Sequence, residues 1–410
     1  VLSAKRILPV PPAFRFLFAG LVSVMAIPLA MADADDTFNI YPAIGAQRDD
    51  NLFRRASGAE SDTIETASLT LALNKALGLQ RFSLDLTVID YRYAHNDYLD
   101  YQAKNYAAAW NWSLTPRLTG VISLDQTEIQ NSFVDYAATT PQTRRNIRRT
   151  NVNHLGAEWQ VSGGWRLLGG LTNNEQGNSE TFNAQSSYAL NTWEFGGKYV
   201  WPGGNYLQLL RREGDGEYKD REVVGFDRVP APFNPQYDNA FRQTDSEARL
   251  YVPLSGKSLL SGRLARQSRQ HEHFGQRDYA ATTGRLDYTW LPTGQVSLVG
   301  GLRREVAAYQ DYFSSYYLAD GFNLQPAWQI SARTTLRLNY DWQRRNYEGG
   351  LLGGIASRRD TLQSLRLGLE WAPLRWASLI TSYQRDTRNS NQNNLDFSAN
   401  IFSVNARFSF

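Results

Sequence analysis

Histidine is the side chain most often recruited for proton transfer or metal binding near neutral pH, and this 410-residue chain has four: His95, His154, His271 and His273. In the run HEH, His271 and His273 are two residues apart, which on a strand puts two imidazoles on one face, as two metal ligands would need. The sequence fixes no third ligand. Cysteine is absent, which excludes a thiol nucleophile, a disulfide framework and a thiolate-bound metal. Serine, histidine and aspartate all occur, but no motif gathers them into a nucleophile–base pair. The residues therefore point to no catalytic group, no metal centre and no cofactor. Asp49, Asp50 and Asn51 offer oxygens to a divalent cation; they equally suit an Asx turn, in which short polar side chains cap their own backbone.

The more extensive chemistry lies in charges that alternate with apolar residues. In TTLRLNYDWQRRNY (334–347), Leu336, Leu338, Tyr340 and Trp342 share one face, and Arg337, Asn339, Asp341, Gln343 and Arg345 share the other. Leu365, Leu367, Leu369 and Trp371 alternate in the same way with Arg366 and Glu370. Such segments are strands with one oily and one wet side. If the oily side meets lipid, the wet side lines a lumen. The inward set then includes the basic residues Arg166, Lys198, Arg249, Arg285, Arg303, Arg337, Arg345, Arg366 and Arg407. Its acidic members are Asp85, Asp125, Glu158, Glu194, Glu247, Asp287, Glu305, Asp341 and Glu370. Equal numbers of each sign predict weak ion selectivity, whether the charges orient passing solute or pair with one another to satisfy a crowded interior.

The elements that must hold these residues are many and short. Eight punctuators rich in Gly, Pro, Ser and Asn separate the alternating segments: NKALG (74–78), SLTP (113–116), SGG (162–164), PGGN (202–205), PLSGK (253–257), LPTG (291–294), SAR (331–333) and APLR (372–375). Each supplies turn geometry for an antiparallel hairpin. The other connections, such as 131–147, 218–238 and 346–358, are longer and more polar. Eight short turns, with both ends of the chain on their side, imply eighteen strands in an all-β, antiparallel transmembrane barrel with periplasmic turns and long extracellular loops. Nine of the eleven Trp fall within four residues of a short turn, as an interfacial girdle requires. The last residues, NIFSVNARFSF, alternate Phe402, Val404, Ala406, Phe408 and Phe410 with polar residues; strand 18 is expected to pair with strand 1 (about 38–47), removing the sheet edge.

Lys5, Arg6 and Arg15, an apolar run from about Phe16 to Leu29, and Ala30-Met31-Ala32 read as a secretory signal peptide over 1–32. The barrel then occupies 33–410. Without the three basic residues of that segment, 40 basic residues face 40 acidic ones. Nucleic acid is not an expected partner.

Just after the first strand comes RDDNLFRR (48–55). Together with the signal segment, the strand rhythm and the terminal Phe, it resembles the EpsL-type outer-membrane proteins of exopolysaccharide biosynthesis operons, within the wider β-barrel porin group. The resemblance implies a conduit for exopolysaccharide in a Gram-negative outer membrane, working beside a periplasmic export partner. The expected surroundings are outer-membrane lipid and lipopolysaccharide. Phe402, Phe408 and Phe410 look like the assembly signal read by the barrel-assembly machinery. Two aromatic stretches are candidates for stacking on sugar rings: residues 226–241, with Phe233 and Tyr237, and residues 311–322, with Tyr312, Tyr316 and Tyr317. Mutual packing of the loops explains the same rings. The alternatives are a general diffusion porin for small solutes, which shares every barrel feature, and a closed structural or adhesion barrel that binds surface polysaccharide through its loops.

Overall fold

The structure is a computed structural model that describes residues 37–135, 143–180, 187–219, 240–309, 314–350 and 357–410; the expected signal segment, and Phe233, Tyr237 and Tyr312, lie outside these. One sheet of eighteen strands closes on itself. In chain order the strands are β1 (Phe38–Asp49), β2 (Asp62–Leu77), β3 (Gln80–Tyr93), β4 (Tyr101–Thr115), β5 (Leu118–Gln130), β6 (Ile147–Ser162), β7 (Trp165–Asn178), β8 (Ser187–Val200) and β9 (Tyr206–Lys219). They continue as β10 (Ala240–Ser255), β11 (Ser258–His271), β12 (Tyr279–Trp290), β13 (Val296–Ala308), β14 (Tyr316–Ser331), β15 (Thr334–Glu348), β16 (Arg359–Leu374), β17 (Ala377–Ser390) and β18 (Phe397–Phe408). Every neighbouring pair is antiparallel. The eight tight connections fall on the eight punctuators of the sequence, and positive φ at Gly78 and Gly163 shows why glycine stands in two of them.

β18 pairs with β1 from Ala43–Arg407 to Asp49–Ile401. Beyond the ladder, Ile40 and Phe410 exchange backbone hydrogen bonds of 2.7 and 2.9 Å. Trp376 stacks on both Phe408 and Phe410 at about 6 Å between centroids, so the closing strand is held on its outer face as well as along its edge. No edge is left to recruit another chain.

Which face looks inward is settled by contacts that cross the barrel. Arg388 of β17 donates to the Val134 carbonyl at 3.0 Å, a residue in the connection after β5. Its face of β17, with Gln384 and Asp386, is therefore the lumen face. The opposite face exposes Tyr383, Leu365, Leu367, Leu369, Trp371 and Phe402 in a continuous apolar belt. Near the short turns that belt carries Trp110, Trp159, Trp165, Trp290 and Trp328.

The first loop folds into the lumen. Leu52 and Phe53 pack with Ile64, Tyr93 and Leu99, against Tyr91 and Phe133. Asp49 Oδ1 accepts the Asn51 N–H at 3.0 Å, which is an Asx turn. Asn51 then bonds the Arg55 N–H and carbonyl and the Ser398 carbonyl, all within 3.0 Å. Asp50 accepts both donors of Asn400. Turn building thus occupies the oxygens that the sequence offered to a cation.

Candidate functional site

The lumen wall follows from register. Arg249, Arg263, Arg285 and Arg303 are successive cross-strand partners on β10 to β13. Gln208 precedes Arg249 on β9, Lys198 faces Gln208 on β8, and Arg166 faces Lys198 on β7. A row of six cations, interrupted by Gln208 on β9, thus climbs seven strands of inner wall, because inward positions recur every second residue and the hydrogen-bonded rows join them.

Carboxylates answer the row. Glu247 accepts Arg212 at 2.9 Å and also holds Arg249 and Arg263. Glu158 holds Arg166 and, at 2.9 Å, Lys198. Glu194 accepts Arg212 at 2.6 Å, and Asp287 accepts Arg285 at 2.6 Å. Arg303 lies across Gly321 and makes two bonds of 2.7 Å to Asp341, one strand further on. A Cβ at Gly321 would sit 3.2 Å from the Arg303 guanidinium and 2.7 Å from the Trp342 carbonyl; glycine is what lets that arginine reach over β14. Arg337 pairs with Glu370 at 2.9 Å. Arg345 stacks over Tyr317, and Arg366 donates to Gln384. Glu305 stands beside Arg285 and Arg303 on the same face.

Depth separates the two signs in one arc. Arg249, Arg263 and Arg285 expose 39%, 40% and 56% of their side chains to lumen water, whereas Glu247 and Asp287 expose 0% and 25%. Over β10 to β12 the lumen meets guanidinium groups, with their counter-charges set into the wall. In the Arg303–Asp341 pair the order reverses: Asp341 is 44% exposed and Arg303 17%. The wall is near balance in number but uneven in how the two signs are presented.

Toward the long-loop end, arginine–aromatic knots pack on the lumen face. Arg269 lies 4.1 Å over Phe241 and donates to the Tyr218 hydroxyl at 2.8 Å. Tyr309, Tyr317 and Tyr347 cluster under Arg358, which bonds Asp360 and the Tyr309 hydroxyl. Burial alone would lower the Arg358 pKa, but the Asp360 bond and the neighbouring tyrosines raise it above its usual value. The Arg358 guanidinium therefore stays charged, and with Asp360 it forms a buried ion pair inside the knot.

Tyr316 and Tyr317, read in the sequence as loop rings open to sugar, belong to β14. Tyr317 is only 8% exposed, because its ring packs against Tyr309 and Tyr347; it offers no free face. Tyr316 is turned to Tyr279 at 5.0 Å. His271 bonds Asp278 through its backbone N–H and ring nitrogen and stacks on Tyr218, a structural engagement at the strand end. Sequence reading missed Arg212, Arg263, Arg269, Asp245, Asp360 and Arg388 on the lumen face. Parity would have found several of them: Leu207 and Leu209 outward put Arg212 inward, and Leu264 outward does the same for Arg263.

Residues 265–410 match the family model described as "Putative beta-barrel porin 2". The chain is an outer-membrane β-barrel of a Gram-negative cell, built as porins are. Among solved structures, it resembles OccK2 (OpdF) of Pseudomonas aeruginosa in complex with glucuronate, at a TM-score of 0.50 and 14% identity, covering 92% of this chain and 98% of that one. OpdK of the same organism, with vanillate, gives 0.49 and 11%, over 91% and 99%. OccAB3 of Acinetobacter baumannii gives 0.46 and 10%, over 92% and 100%. At these identities the likeness is one of fold. No curated protein sequence matches.

Proposed function

We propose that the barrel is a passive channel for small polar solutes, with carboxylate-bearing ones favoured. The observation that carries this is the exposure of Arg249, Arg263 and Arg285 on the inner wall. Inward side chains left roughly half open to water mean that the lumen is not filled by its own wall, as it is in small barrels. The fork of a guanidinium matches a carboxylate, while Asp341, a few strands further round the same wall and 44% exposed, suits an ammonium or hydroxyl on the same solute. Solute therefore meets guanidinium groups on one arc of the wall with carboxylates close by.

Swelling of proteoliposomes tests this. Small carboxylates are expected to enter several-fold faster than cations of equal size, with neutral sugars between. Equal rates for all three would remove the arginine arc from the account, and no swelling would remove the channel.

Export of exopolysaccharide is the narrower reading, supported by the resemblance around RDDNLFRR. In the fold that motif builds the first loop and its Asx turn, with Leu52 and Phe53 packed inward. Loss of secreted polymer in a deletion strain, restored by the intact gene, would favour export over solute uptake.

A further inference from the structure

One seam of the barrel is incomplete. The β12–β13 ladder ends at Gly284–Arg304, although β12 stays paired with β11 up to Tyr279 and β13 with β14 up to Ala308. Residues 279–283 and 305–308 therefore part company, leaving a notch in the half of the wall near the long loops. A cavity of about 310 Å³ occupies it, lined by Tyr279 and Ala281 from the lumen face and by Arg266, Thr282, Arg304, Tyr316, Leu318 and Glu348. Tyr279 belongs to the inner face and Tyr316 to the outer, yet their rings touch at 5.0 Å. Side chains of opposite faces meet only where the wall is breached.

A second seam shows what closure looks like. The β4–β5 ladder also stops early, at Tyr106–Gln126. There side chains stitch the gap: Gln126 donates to the Lys104 carbonyl at 2.8 Å, the Lys104 N–H to Glu128 at 2.8 Å, and the Glu128 N–H to Asn105 at 2.6 Å. Across the β12–β13 notch the facing residues are mostly Ala, Thr and Val, too short for such a bridge. Among the described residues, buried Thr283 leaves its hydroxyl with no hydrogen-bond partner beside the opening.

Below the notch, an apolar trough of about 500 Å³ runs over the outer surface, floored by Ala248, Gly262 and Gly284 and flanked by Leu250, Leu264 and Leu302. It shares Thr282 and Arg304 with the notch, so the two spaces adjoin. At the upper end stand Arg266, Arg304 and Arg344 with Asp320 and Glu348. Arg304 pairs with Asp320 at 2.8 Å, and Glu348 accepts the Tyr316 hydroxyl at 3.2 Å. Three cations to two carboxylates leave a positive rim above an apolar groove.

We infer that the notch and trough form a lateral site for a single-chain anionic amphiphile, its tail in the trough and its head at the Arg266–Arg304 rim. The site opens to the lipid and reaches through the wall to the buried lumen-face residues Tyr279 and Ala281, giving such a molecule a sideways approach that a water-soluble solute does not use. The inference does not rest on the conduction reading.

Photolabelling tests it. Proteoliposomes holding the full chain are irradiated with dodecanoate bearing a diazirine at its tail, and adducts are mapped by mass spectrometry. Adducts are expected to concentrate in 248–264, 282–286 and 302–304, with at least fivefold less labelling by the matching dodecanol probe. Ala281→Cys with Ala307→Cys introduces the chain's only thiols, at the positions that would meet if the ladder ran on by three steps. Oxidation should cut labelling at least fivefold and reduction should restore it, with small-anion conductance unchanged throughout. Gly262→Leu fills the trough floor, where an added Cβ has only ordinary contacts; it should weaken labelling without touching the seam. Adducts spread evenly around the belt, or labelling indifferent to both oxidation and Gly262→Leu, would overturn the site. A barrel that labels here but conducts nothing would sink the channel and leave this site standing.

Discussion

Glu247 is the residue on which the arginine arc turns. Its side chain has no exposure, and three guanidinium groups converge on it. Removing one member of a buried ion cluster leaves uncompensated charge, at a cost of about 3–5 kcal/mol; because Arg249 and Arg263 keep water, the low end applies. We predict that Glu247→Gln lowers barrel stability by about 3 kcal/mol, read from urea unfolding in vesicles, and an unmoved midpoint would show that the arginines do not depend on it. Asn51 is a second such residue. Its amide satisfies three backbone groups, and leaving buried groups unpaired costs about 1–3 kcal/mol. Asn51→Ala should therefore destabilise the barrel by about 2 kcal/mol, with the first loop becoming protease-sensitive; a loop that resists protease as before would deny the amide that role. The identity of the inward charges was legible because alternation in Leu365–Trp371 or Leu336–Trp342 fixes parity by itself. Their depth was not. Whether Arg285 or Asp287 reaches the water depends on how the pair packs against its neighbours on the adjoining strands, and register is not written in either residue's own segment.

At the scale of elements, turns and strands were the most legible part of the chain. Glycine, proline and serine mark the eight tight hairpins for steric reasons that no tertiary contact overrides, so NKALG, SGG and PGGN fall where the chain reverses. The long connections behave differently. Residues 311–322 read as an aromatic loop of which part could be strand, and Tyr316 indeed begins β14; where loop gives way to strand was not legible, because period-2 alternation and loop aromatics look alike over so few residues. The β12–β13 notch was equally hidden, since nothing in the Ala and Thr of 280–283 tells a paired strand from an unpaired one. The closing seam makes its own prediction. Phe410 exchanges two backbone hydrogen bonds with Ile40 and packs on Trp376, so deleting it removes the last rung joining β18 to β1. The fraction of heat-modifiable, membrane-inserted barrel should fall several-fold, more than for Phe410→Ala, which keeps the backbone rung. Normal levels of folded protein after the deletion would show that closure does not need that rung.

For the whole molecule, eighteen strands give a bore wide enough for water, and the wall around it is even in charge but uneven in how that charge is presented. Counting residues, as the sequence permits, predicts an almost unselective channel. Presentation predicts something else: the guanidinium groups of β10 to β12 stand in the path while their carboxylates are recessed, so anions should be preferred, and Asp341, exposed a few strands further round the wall, should keep the preference moderate. The lateral notch adds a second route without altering the first, because it lies above the Arg249–Arg285 arc. The measurement that bears most directly on this account is the zero-current potential of single channels in a planar bilayer under a tenfold gradient of potassium chloride. A steady water-filled conductance, with a potential whose sign shows chloride passing several-fold more readily than potassium, is the predicted result. A potential of the opposite sign, or a barrel that inserts and never conducts, would contradict it.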